Sequence, residues 1–260
     1  MLLNFFIPKG APHRVGETLA NEFYGARAVH HGAALADNNM HYGLLYAEGL
    51  REKCAEQGKR WIHVDHGHFK RSRDPAQATG YYRFSPESQA SGFVEPTMRD
   101  TYRLEKLVKR GTILLDRPIA STESRIIAYQ PPSPFMRDHF GLSHDFDAVW
   151  TRAAQQMFPE NDMLIVPKGP KDVAFFDKIC AFVSFNSTVA FACMERGIPV
   201  MFTAPMTWLP RNARVWSGDE SVRKRVFACI AGRNWTVNEM ANGEALFHMI
   251  DNGVIKRRDE

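Results

Sequence analysis

The stretch AFVSFNSTVAFACMERGIPVMF, residues 181–202, constrains this chain more than any other. It reads as a buried strand, a polar turn, a helix, a glycine stop and a second buried strand. That order makes two parallel strands joined by a crossover helix, the unit of an open α/β sheet. The turn from Ser184 to Thr188, with Asn186 and Ser187 inside it, follows a strand and opens a helix. Such a turn suits an anion, because first-turn N–H groups lack internal partners and the helix dipole is positive there. Ser187 and Thr188 are therefore candidates for holding a phosphate, most simply that of a nucleotide. Plain helix capping by the same hydroxyls is the competing reading.

The remainder repeats the alternation. Leu2–Ile7 is predicted as a first strand and Arg14–Phe23 as a helix. A second helix is predicted over Tyr42–Gln57, with Leu44, Leu45, Ala47, Leu50 and Cys54 on one face and Gly58 closing it. Trp61–Asp65 reads as a short buried strand, and residues 66–95 as a long loop with a strand at Tyr81–Phe84. A further strand is expected near Gly111–Leu115. Arg125–Tyr129 and Met163–Pro167 are strands, Asp145–Met157 and Val222–Ile230 helices. Thr236-x-x-Glu239 is a capping box opening a last helix. The fold class is thus α/β, two Rossmann-like units with parallel sheets and helices on both faces. The boundary is expected near residues 117–124, giving units 1–120 and 121–260, with a ligand site between them.

With 260 residues the chain is long enough for two such units. No apolar run approaches the ~20 residues that span a bilayer, so no membrane partner is expected. The N-terminus lacks the basic start of a signal peptide. The four cysteines form no C-x-x-C pair, and a reduced, cytoplasmic setting is expected. A formal net charge of +4 is a mild basic bias, compatible with a polyanionic partner.

Chemistry concentrates at two further places. Asp65 ends an apolar strand and precedes His66-Gly67-His68. A carboxylate flanked by imidazoles there can deprotonate a hydroxyl, with His66 or His68 as alternatives. Asp65 as a turn cap before Gly67 is the plainer reading. Lys70, Arg71, Arg73 and Arg83 interleave with Phe69, Tyr81 and Tyr82, a composition that grips a sugar-phosphate backbone and stacks bases. A polar loop with a few core-facing aromatics is again the plainer reading. Lys168 directly follows a strand and could neutralise a phosphate. No metal is expected, since a cluster of His and Asp in sequence is not yet a ligand set.

The segments Ile126–Ser133, Met163–Lys168, Ser184–Thr188 and Glu195-Arg196-Gly197-Ile198-Pro199-Val200 together resemble the C-terminal domain of GT-B glycosyltransferases. The resemblance implies a nucleotide-sugar donor, UDP-linked in the simplest case, framed by the hydroxyl-bearing turn. It also implies that Ser133 and Arg137 face the donor. Trp61–Asp65, His66-Gly67-His68-Phe69 and Gly80-Tyr81-Tyr82-Arg83 look like a block in bacteriophage proteins, some of which glycosylate modified DNA bases. That implies a phage enzyme of the host cytoplasm, acting on a hydroxymethylated base in DNA. Residues 1–120 would then be the acceptor side and 121–260 the donor side. A glycan transferase and a non-catalytic nucleotide-binding protein are the alternatives.

Overall fold

The computed structural model describes residues 3–7, 13–43, 49–69, 80–86, 95–115, 123–169, 171–204 and 214–257. The chain divides into two units. The first comprises Met1–Thr112 with Phe227–Glu260, the second Ile113–Val226. The C-terminal segment therefore returns to the first unit, whereas the sequence assigned it to the second.

In the first unit, β1 (Leu3–Phe6), β2 (Arg27–Val29), β3 (Asn38–Tyr42) and β4 (Arg60–His66) are parallel. β5 (Tyr81–Pro86) and β11 (Asn234–Thr236) extend the sheet antiparallel, in the order β2-β1-β3-β4 and then β5-β11 on the β4 side. Every residue of β1 and β3 is buried, as expected of interior strands covered on both faces. One face carries Phe5, Met40, Ile62, Val64, Tyr82 and Phe84. It packs on Leu19 and Phe23 of α1 (His13–Glu22), Met240 of α9 (Val237–Ala241) and Leu246 and Met249 of α10 (Glu244–Asp251). The other face carries Phe6 and Trp61 against Leu50 and Cys54 of α2 (Leu50–Glu56).

Three contacts explain why the tail comes back. Asn38 accepts from the Lys256 N–H and donates to its carbonyl, at 2.9 and 3.1 Å. Arg103, on α3 (Met98–Lys109), pairs with Glu239 at 3.0 Å and donates to the carbonyls of Ala231 and Asn234. Asp100, on the same helix, accepts from Asn252 and meets His248 Nε2 at 2.7 Å.

The second unit is a five-stranded sheet. β6 (Ile126–Gln130), β7 (Asp162–Ile165), β8 (Ala181–Ser184) and β9 (Val200–Phe202) are parallel, and β10 (Val215–Trp216) is antiparallel at the edge, in the order β10-β9-β8-β6-β7. Ile127, Tyr129, Val183 and Met201 form one face, with Trp150 of α5 (Phe146–Met157) packed on it. Phe191 of α7 (Thr188–Glu195) meets Phe202 at 5.3 Å on the other. The remaining helices are α4 (Pro134–Phe140), α6 (Val173–Asp177) and α8 (Glu220–Arg233).

Two expectations differ in detail. Of the helix predicted over Tyr42–Gln57, Leu50–Glu56 is helical and Tyr42 ends a sheet strand whose Asn and His hid its burial, while Leu44, Leu45 and Ala47 lie outside the described residues. Residues 111–115 are not a strand.

Candidate functional site

In an open α/β sheet, ligands bind outside the carboxyl ends of the strands. In the first unit, Asp65 stands near that end of β4. Alternation puts Trp61, His63 and Asp65 on one face and Ile62, Val64 and His66 on the other. Asp65 is opposite Arg83 in the antiparallel β4–β5 register, and Arg83 is opposite Asn234. Arg83 Nη2 lies 3.5 Å from Asp65 Oδ2, and Arg83 Nη1 donates to His68 Nε2 at 3.1 Å. The backbone N–H of His66 donates to Asp65 Oδ1 at 2.7 Å, and that of His68 to Asn234 Oδ1 at 2.7 Å. Asp65, Arg83, His68 and Asn234 thus form one polar cluster.

Burial alone would raise the Asp65 pKa. Arg83, His63 and the His66 N–H outweigh it and hold the carboxyl below its ordinary value. The group is an anion at neutral pH. His68 is driven the other way: burial, then the Arg83 charge, keep it neutral. Its Nε2 lone pair is occupied by Arg83, so it positions the guanidinium rather than taking a proton. His66 lies on the opposite face from Asp65. Its Nε2 is 2.9 Å from the Tyr42 hydroxyl and its ring stacks on Tyr82 at 5.8 Å. The structure therefore links Asp65 to His68 through Arg83, while the His66 ring leaves the opposite face and acts on Asp65 only through its charge.

The expected nucleic-acid grip fares differently. Tyr81 and Tyr82 are buried, Tyr81 edge-on to Phe69 at 5.6 Å, and neither ring offers an open face to a base. Arg83 is spent on Asp65 and His68 within the unit. These three are corrected from surface contacts to interior residues. An alternating strand with two tyrosines gave no sign of which face was inward. Lys70, Arg71 and Arg73 lie outside the described residues.

In the second unit the polar turn sits where expected. Ser184 ends β8 fully buried, and its Oγ accepts from the Ser187 N–H at 3.3 Å. Ser187 is the α7 N-cap and accepts from the Val189 N–H at 3.2 Å. Both hydroxyls act as acceptors here, which leaves each O–H proton to donate. Asn186 and Ser187 are half-buried, and Thr188 is exposed. Thr203, following β9, donates its N–H to the Ser184 carbonyl at 2.9 Å; its buried Oγ1 has no partner among the described residues. Sequence reasoning passed over Thr203 because it stands outside the strand, turn and helix pattern that drew attention to Ser184–Thr188.

At the end of β6, Ser133 caps α4 and accepts from the Met136 N–H at 3.4 Å. Arg137 is paired with Asp147, which also accepts from the Tyr129 hydroxyl at 2.7 Å. Arg137 is thereby partly neutralised. Lys168 is exposed, just past β7.

Among the described residues, no group of three or more His, Cys, Asp or Glu could hold a metal ion. No described helix is long and apolar enough to cross a membrane.

Two parallel-dominated α/β sheets, each with a polar cluster near the carboxyl ends of its strands, give a GT-B-like fold. The fold is similar to KpsC, a β-Kdo 2,4 transferase of Thermosulfurimonas dismutans: TM-score 0.55 at 12% identity, covering 88% of this chain and 90% of that one. It is also similar to the β-Kdo 2,7 transferase of KpsC from the same organism: TM-score 0.50 at 10% identity, covering 97% of this chain and all of that one. No protein-family model and no curated protein matches the sequence.

Proposed function

We propose that this protein is a glycosyltransferase that moves a sugar from a nucleotide-sugar donor to a glycan hydroxyl. The observation that carries the reading is the shared fold with two sugar transferases over nearly the whole of each chain. Since those are β-Kdo transferases, Kdo is the first sugar to test. The second unit is assigned to the donor. Ser184, Asn186, Ser187 and Thr188 would meet its phosphate, helped by the α7 dipole. Ser133, Arg137 and Lys168 are assigned to the same ligand, with Arg137 sharing its charge with Asp147.

Asp65 is the residue assigned to the chemistry. An ionised carboxylate can accept the acceptor hydroxyl's proton or stabilise positive charge developing on the sugar carbon. Its lowered pKa makes it a weak base, which favours the second role. Arg83, itself positioned by His68, holds it, and His66 supports it through its backbone N–H.

A glycan acceptor is favoured over DNA because Tyr81, Tyr82 and Arg83 are interior. The test is a thermal-shift screen against Kdo-linked and UDP-, GDP- and other nucleotide sugars. A ligand of the native state raises the melting temperature. Transfer is then assayed onto glycans and onto hydroxymethylated DNA. A shift with one donor and product on a glycan supports the proposal. Product on DNA alone replaces the acceptor, and no shift with any donor removes the reading.

A further inference from the structure

A second polar cluster in the first unit is not used by the proposed chemistry. It lies on the β1–β3 side of the sheet. His41, fully buried near the end of β3, points its Nε2 at the Nε2 of His31, which follows β2; the separation is 3.3 Å. The Nδ1 of His41 lies 3.1 Å from the Gly43 carbonyl and donates to it. That bond places the proton on Nδ1, so the Nε2 lone pair accepts from the His31 Nε2–H, a bond that a metal ion held by both nitrogens would replace. Metal-binding histidines are commonly fixed in this way, one ring nitrogen donating to a backbone carbonyl while the other binds the ion.

The separation agrees with a metal bite. Two imidazole nitrogens bound to zinc at 2.0–2.1 Å with a tetrahedral angle stand about 3.3–3.4 Å apart. The rings are also nearly perpendicular, at 88°, with centroids 5.3 Å apart, so both nitrogens reach one point without the rings stacking. A further imidazole is close by. His63 pairs with His41 across β3 and β4, so its side chain leaves the same face of the sheet. It is fully buried, and neither of its ring nitrogens has a hydrogen-bond partner among the described residues. A buried imidazole without a partner calls for an explanation.

We propose that His31 and His41 form a two-histidine site for a divalent transition metal such as zinc, with the remaining positions open to water or an anionic oxygen. Imidazole nitrogen suits zinc, copper and nickel better than magnesium or calcium. A site with open positions is of the ligand-binding kind rather than the closed structural kind. The inference stands apart from sugar transfer, since it rests on other residues and on binding alone.

The experiment is zinc titration of the full chain after chelator treatment, read by a competing chromophore and, with cobalt, by visible absorption. The proposal expects one zinc per chain. His31→Ala and His41→Ala should each weaken binding by at least about tenfold, while His30→Ala, at the exposed neighbouring position, leaves it unchanged. His31 is not fully buried, so His31→Ala keeps the test valid if His41→Ala fails to fold. Melting curves confirm that each variant is folded. No zinc bound by the parent, or equal binding by His31→Ala, overturns the proposal.

Discussion

Asp65 carries the proposed chemistry through its surroundings rather than its own type. Asp65→Asn keeps the size and removes the charge. It should lower turnover by at least about 100-fold, while donor affinity, measured by calorimetry, stays within about twofold. Unchanged turnover would remove Asp65 from the reaction. Because Arg83 helps hold the Asp65 carboxyl low, a variant lacking that charge, Arg83→Met, should move the acidic limb of the kcat/KM profile to higher pH. The sign follows because a raised pKa leaves the carboxylate protonated over more of the acidic range. An unmoved limb would assign that limb to another group. The sequence made Asp65 visible, since it closes an apolar run before a glycine. It hid Arg83 as the partner, because only the antiparallel β4–β5 register brings the two together. It also hid His41, which stands just before a predicted helix, and His63, which lies inside a short predicted strand.

At the scale of the element, α7 shows most clearly what a local pattern can and cannot say. The strand, turn, helix and strand of residues 181–202 formed as read, because capping hydroxyl, apolar helix and glycine stop all favour the same outcome. Whether the turn also binds phosphate is a separate matter, and two variants separate the roles. Ser187→Ala removes the cap and should cost about 1 kcal/mol of stability, with weaker donor binding besides. Thr188→Val removes an exposed hydroxyl that caps nothing. It should leave the melting temperature within a degree or so while still weakening the donor. Loss of stability in the first variant with no loss of donor affinity in either would make the turn a cap alone. Gly67, just past β4, offers a simpler test. A Cβ on Gly67 would lie 2.8 Å from the Tyr81 backbone and 2.7 Å from Asn234 Oδ1. Gly67→Ala must therefore push β4 and β5 apart, and should lower the melting temperature clearly.

At the scale of the whole molecule, the first unit is closed by a segment that no pattern in the chain marked for it. An alternating α/β order reads forward along the chain, and nothing in it marks a return. The return is held by buried charge: Arg103 with Glu239, their side chains only 8% and 10% exposed, and Asp100 with His248 and Asn252. Burial would raise both carboxyl pKa values, but the His248 contact and the Thr97 bonds lower that of Asp100, and Arg103 lowers that of Glu239. A depressed carboxyl pKa contributes stability that is complete above the unfolded value, about 4 for Asp and Glu, and is lost as pH falls through the folded one. The first unit should therefore lose melting temperature steeply from about pH 5 downward, and the Glu239→Gln variant less steeply. That variant should already be weaker at pH 7 by about 3 kcal/mol, because Arg103 is left buried without its counter-charge. Melting curves of both proteins between pH 7 and pH 3.5 decide the matter. Parallel curves would mean that Glu239 binds protons alike in the folded and unfolded chain. The return of residues 227–260 would then rest on the apolar packing of α9 and α10 and on the Asn38–Lys256 bonds instead.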